Sequence, residues 1–143
     1  MRIEYEDCLN EGLLIPATPS LEKALICLKK AKHFLKIAEM NYEQDAFDGS
    51  VIMAYLSMFS SAKAILARDG FREKSHVCVS RYIEKQYVPG RLDRRYVVLL
   101  DRYRNLRHDD QYDVSFYAGR DDARSMISFA RELMAKIERI ING

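Results

Sequence analysis

Apolar residues recur every three or four positions along nearly the whole chain, and no segment alternates convincingly with period two. Helices packed through one stripe give that pattern, so an all-α protein is predicted. Residues 1–18 read as a lead-in, with one short helix around Tyr5 to Leu13 ended by Gly12 and Pro16. Thr18 is expected to cap the first long helix, with Pro19 at its first position, where the missing N–H costs nothing. Leu21, Leu25, Leu28, Ala31, Leu35 and Ala38 form its stripe. A polar break over Asn41 to Gly49 precedes a second helix, striped by Ile52, Tyr55, Phe59, Ala62 and Leu66. Gly70 stops it in the usual C-terminal position.

A third, shorter helix is predicted from about Ser75 to Tyr87, with a Pro89-Gly90 turn after it. The fourth carries Leu92, Tyr96, Leu99, Tyr103 and Leu106. After a loop from Asp109 to Gly119, Asp121 and Asp122 suit the start of a fifth helix. Its stripe is Ala123, Ile127, Ala130, Leu133, Ile137 and Ile140. Together these elements form an antiparallel bundle of four to five helices, one domain over residues 19–143. Small residues on the second helix (Ala54, Ser57, Ser61, Ala62, Ala64) let neighbouring backbones approach, so it is expected to lie at the centre.

Composition narrows the function classes. The 48% hydrophobic and 31% charged content is that of a globular domain. No apolar run approaches the roughly 20 residues of a membrane span, so no membrane partner is expected. Three cysteines, Cys8, Cys27 and Cys78, make an odd number with no CxxC pair. With no signal peptide evident, they argue for a cytoplasmic protein rather than a disulfide framework, Cys27 and Cys78 being small core residues. Formal net charge is only +2, yet residues 81–107 hold eight basic side chains against three acidic ones. A concentration of that kind steers anions, although a solvated helix end looks similar.

The chemistry-bearing stretch is Arg102 to Asp113, where three arginines and a histidine fall as the fourth helix gives out. Arginine grips phosphate oxygens bidentately, and histidine suits proton transfer near neutrality. Arg102, Arg104, Arg107 and His108 are therefore the candidate catalytic residues, with Arg94, Arg95 and Tyr112 as candidate RNA or nucleotide contacts. On a helical wheel Arg104 and His108 share a face, whereas Arg102 reaches His108 only if the helix has unwound or a second chain intervenes. His33 reads as a half-buried surface residue and His76 as part of a helix cap. Scattered histidines and the lack of HExxH, a phosphate-binding glycine loop or a nucleophile elbow leave no metal or cofactor expected.

In the order and spacing of its pieces the chain resembles the HEPN domain family, above all its small stand-alone prokaryotic members. The pieces are the run Ala54, Tyr55, Met58, Phe59, Ala62, Leu66, the Gly70 stop, Lys74-Ser75-His76, the Arg/His exit motif and the closing helix with Asp122-Ala123 and Ala130-Arg131-Glu132-Leu133. The resemblance implies an all-α homodimer that binds or cuts RNA, with an arginine and a histidine four to six residues apart at the dimer cleft. Many members are toxins paired with a minimal nucleotidyltransferase as antitoxin, which in some pairs adenylylates a tyrosine just after the histidine. Arg102 and His108, with five residues between them, satisfy the spacing. Arg104 is too close, though Asn105 after it is typical. A related branch carries Arg-x-x-Arg-(Asn/His)-x-x-x-Tyr-Asp, which Arg104, Arg107, His108, Tyr112 and Asp113 fit closely. Tyr112 follows His108 by four residues rather than two, a departure from the modified-tyrosine pattern. The function expected is thus RNA-directed, either a metal-independent endoribonuclease toxin or a non-catalytic RNA- or nucleotide-binding helper of a nucleotidyltransferase. An interaction module remains the third alternative.

Overall fold

The computed structural model describes residues 2–143. Among them are six helices: α1 (Tyr5–Asn10), α2 (Leu21–Glu43), α3 (Phe47–Asp69), α4 (His76–Tyr87), α5 (Arg94–Tyr112) and α6 (Arg120–Asn142). The predicted all-α bundle is present, with a sixth helix from the lead-in. α3 is its axis, packed on α2 and α6 along most of its length and on α4 and α5 elsewhere. Ser50, Val51, Ala54, Ser57, Met58, Ser61, Ala62 and Ala64 are all fully buried, so α3 is covered on nearly every side.

The α2–α3 seam has a seven-residue rule. Ala24, Ala31 and Ala38 recur every seventh position on α2, as Ser50, Ser57 and Ala64 do on α3, and all six are fully buried. The Ser57 hydroxyl donates to the Ala31 carbonyl and that of Ser50 to the Ala38 carbonyl, each at 2.8 Å. Seven steps forward on α2 thus match seven steps back on α3, and no bulky side chain separates the two backbones. By length and composition α3 could cross a membrane, but 67% of its most apolar window is buried inside the bundle.

Several expectations are corrected. The first α2 turn is capped by Ser20, whose hydroxyl accepts from the Lys23 N–H at 3.0 Å, and not by Thr18. Leu21 and Leu25 are 53% and 45% exposed, because the stripe runs back from Leu28 to Ala24. α3 begins at Phe47, inside the predicted polar break. α5 continues without interruption through Asp109 to Tyr112. A two-stranded antiparallel sheet also forms, β1 (Leu14–Pro16) against β2 (Phe71–Glu73), with Ile15 opposite Arg72. Three residues are too few to show a period. Gly70, at φ +94°, turns the chain from α3 into β2; a Cβ there would meet Pro19 Cγ at 2.8 Å and the Ala17 carbonyl oxygen at 2.9 Å.

The cysteine expectation is overturned as well. Cys8 and Cys78 form a disulfide that ties α1 to α4 across 70 residues of sequence, leaving Cys27 as the free thiol among the described residues. Both bonded cysteines are fully buried, so Cys78 is a core residue as expected, but a cross-linked one. Spacing along the chain carries no sign of a pair brought together by the docking of two helices.

Candidate functional site

α5 crosses α3 and α4 with Tyr96, Val97, Leu100 and Tyr103 turned inward. That orientation aims Arg104 and Arg107 across the bundle toward the start of α4 and the middle of α3. Arg104 donates to one Asp101 carboxylate oxygen at 2.6 Å and reaches the Ser80 hydroxyl at 3.4 Å. The other Asp101 oxygen accepts from Arg81 at 2.9 Å. Burial opposes ionisation of Asp101, but the two guanidiniums prevail and hold its carboxyl below the usual range.

One turn further on, the Arg107 guanidinium lies 4.6 Å from the centre of the Tyr55 ring, a cation–π contact, and donates to Gln111 Oε1 at 3.1 Å. The Tyr55 hydroxyl is hydrogen-bonded to His76 Nδ1 at 3.0 Å. Phe59 stacks on the His76 ring, with centroids 3.8 Å apart and planes inclined by 13°. Lys63 follows on the same α3 face, 5.6 Å from the Phe59 ring. The result is a cationic rim (Arg104, Arg107, Lys63) around a tyrosine–histidine pair seated on a phenylalanine.

These neighbours set the protonation of the pair. Burial and the positive charges of Arg107, Arg104 and Lys63 hold His76 below the usual imidazole range, so its neutral form is favoured near pH 7. Burial pushes the Tyr55 hydroxyl up, against the pull of the two arginines. Sequence reasoning assigned Tyr55 and Phe59 to the core and His76 to a cap. Ser75 is indeed the α4 N-cap residue, but His76 turns back onto α3. The usable signal was the line Tyr55, Phe59, Lys63, which runs from aromatic to cationic at helical spacing.

The sequence-predicted residues divide sharply. Arg104 and Arg107 belong to this cluster. His108 does not: its side chain is 65% exposed, its Nδ1 is 4.0 Å from Asp109, and its ring sits 4.8 Å from that of Tyr112. Tyr112 is 63% exposed. Arg102 is exposed on another face of an unbroken helix, so the structure brings it to neither Arg107 nor His108 within one chain. Arg94 is paired with Glu84 at 3.4 Å, and Arg95 with Glu132. Glu84 also accepts Arg81 at 3.3 Å and Arg2 at 2.9 Å. Acidic side chains therefore offset much of the local positive charge seen in the sequence; within the rim Arg104 is paired with Asp101 and Lys63 with Glu73 at 3.6 Å, while Arg107 has no carboxylate partner among the described residues.

Among the described residues no group of three His, Cys, Asp or Glu side chains is placed to hold a metal ion. A cationic rim with an imidazole and no such group is chemically suited to a phosphate oxyanion. Comparison with known proteins places the chain: the model of the HEPN domain matches residues 24–140, most of its length. No curated protein gives a significant match.

Proposed function

The chain belongs to the HEPN domain family, and on that premise we propose that it acts on RNA, holding a backbone phosphate between Arg104 and Arg107 and cleaving the strand without a metal. The observation that supports this reading is the convergence of both arginines on Tyr55 and His76, from three helices, at one place on the surface. Preorganised guanidiniums stabilise the charge that builds on a crowded phosphorus, and an imidazole beside them moves the proton. Tyr112, exposed at the end of α5, offers an aromatic edge for a base of the same strand.

The proposal includes a homodimer, with the end of α5 at the interface. Val114 and Tyr117, just past α5, are 93% and 77% exposed, an apolar surface that a second copy would cover. A minimal nucleotidyltransferase is the proposed protein partner, as antitoxin. The test is incubation of the pure protein with total RNA in the presence of a chelator. Discrete fragments, together with binding that weakens steeply as salt rises, support the function. Binding without fragments reduces the protein to a non-catalytic RNA binder, and absence of both removes the RNA-directed reading.

A further inference from the structure

Two histidines lie near the arginine rim, and only one of them is built into it. We propose that His76 is the proton-transferring residue of the site, positioned by the Tyr55 hydroxyl and the Phe59 ring, and that His108 takes no part in proton transfer. The inference rests on the RNA-directed function above and names the group that performs its chemical step.

Two properties set His76 apart from His108, a fixed ring and a ring of facing cations, and a third leaves it free to act. Its ring is fixed, by the 3.0 Å bond from Nδ1 to the Tyr55 hydroxyl on one edge and by the Phe59 ring across its face at 3.8 Å. Its Nε2 makes no hydrogen bond within the chain and the residue is exposed, so that nitrogen is open to a ligand. The cations facing it are Arg107 and Arg104 from α5 and Lys63 from α3, the groups that would hold the phosphate. The nearby counter-charges are Asp101, engaged by Arg104 and Arg81, and Glu73 of β2, 3.6 Å from Lys63. His108, by contrast, has its Nδ1 4.0 Å from Asp109 and its ring beside that of Tyr112, itself exposed. A proton-transfer group has to be held in place to act, which favours the fixed ring.

The step balances as follows. With the Nδ1 proton donated to the Tyr55 oxygen, Nε2 takes the proton of a ribose 2′-hydroxyl. The 2′-oxygen forms a bond to the adjacent phosphorus, and the bond from that phosphorus to the 5′-oxygen breaks. The departing 5′-oxygen takes a proton from water, and the imidazolium proton returns to the hydroxide left behind. The products are a 2′,3′-cyclic phosphate and a 5′-hydroxyl. A neutral imidazole is the form this step requires, and the rim favours it. Tyr55 acts only through His76 and is a positioning residue.

The deciding experiment follows both histidines of the full chain by nitrogen NMR, with and without an uncleavable 2′-O-methyl RNA oligonucleotide. Bound phosphate is expected to raise the His76 pKa by about one unit or more and to leave His108 unmoved. In parallel, His76→Asn should lose about a hundredfold or more in cleavage of unmodified RNA while keeping its affinity within a few-fold. His108→Ala should stay within about twofold, and Tyr55→Phe should move the acid limb of the pH–rate profile. A bound oligonucleotide that shifts His108 and not His76 overturns the assignment, as does loss of cleavage in His108→Ala alone. Binding with a His76 shift but no cleavage overturns the proton-transfer role. Failure of the oligonucleotide to bind removes the RNA-directed function itself, a different result from any of these.

Discussion

Arg81 and Arg104, on different helices, are held by the two oxygens of a single carboxylate, Asp101, at 2.9 and 2.6 Å. The Arg81 side chain is only 4% exposed, so removing Asp101 leaves this buried charge with Glu84 as its remaining carboxylate partner. Asp101→Asn is expected to lower stability by about 2 kcal/mol, less than a fully buried pair because Asp101 itself keeps solvent contact. The Asp101 carboxyl lies below its ordinary value in the folded state. Its contribution is therefore complete above the unfolded value of about 3.9 and is lost as pH falls through the lower folded one. Chemical denaturation of both proteins at pH 7 and pH 3 checks this: the gap between them should be smaller at the lower pH.

A second pair of carboxylates predicts the opposite slope. The Ala118 N–H donates to Asp48 at 2.9 Å and to Asp110 at 3.1 Å, which pins the end of the α5–α6 loop against the start of α3. Burial, then the neighbouring Asp48, pushes Asp110 up to about 7. Its stabilisation is fully present below about pH 3.9 and is lost as pH rises through the folded value. At pH 8 the Asp110→Asn protein should be more stable than the parent by on the order of 1 kcal/mol, allowing for solvent screening. Protection of the Ala118 amide, measured against its intrinsic base-catalysed exchange, should fall between pH 6 and 8 in the parent only.

Arginines of one sequence cluster should separate into two groups. Arg107→Ala removes a rim cation and should weaken RNA binding about tenfold, roughly 1.4 kcal/mol, with a shallower salt dependence. Arg94→Ala and Arg95→Ala lose side chains already paired with Glu84 and Glu132, so affinity should stay within about twofold. Equal losses in all three, measured by fluorescence anisotropy, would mean that the cluster acts as a diffuse charged face.

The seam between α2 and α3 should tolerate no growth. Ala31 is fully buried, and its carbonyl accepts the Ser57 hydroxyl at 2.8 Å. Ala31→Leu is expected to lower stability by about 1–3 kcal/mol through overpacking. Leu21→Ala, on the exposed first turn of the same helix, should change it by less than about 0.5 kcal/mol. Thermal unfolding of the two variants ranks them directly.

The oligomer is tested on its own. Light scattering at tens of micromolar should give a dimer, and Val114→Asp with Tyr117→Asp should give a monomer of unchanged helicity. A stable parent monomer would contradict it.

What the sequence disclosed follows from the range of each interaction. The α6 stripe from Ala123 to Ile140 is buried as predicted, and the small residues of α3 do mark the central helix, because both features repeat within one element. Arg104 and Arg107 were legible as a pair for the same reason. His76 was not, since its partner Tyr55 lies 21 residues away on another helix. Asp101 with Arg81, and Cys8 with Cys78, are likewise contacts between elements that leave no periodic trace. His108 lies beside the arginines in sequence, whereas α5 turns it outward, a placement that only the assembled bundle reveals.

The sheet and the disulfide also order events in time. β1 needs β2, Cys8 needs Cys78, and Arg2 needs Glu84, partners that lie far downstream in the chain. A ribosome therefore releases the first segment long before its seat exists, and that segment must wait, unattached, while α2 and α3 pair. Its docking is a late step that closes a long loop over a bundle already formed. A refolding experiment should then show helix formation ahead of burial of the two cysteines, with α1 the last element to be shielded from solvent.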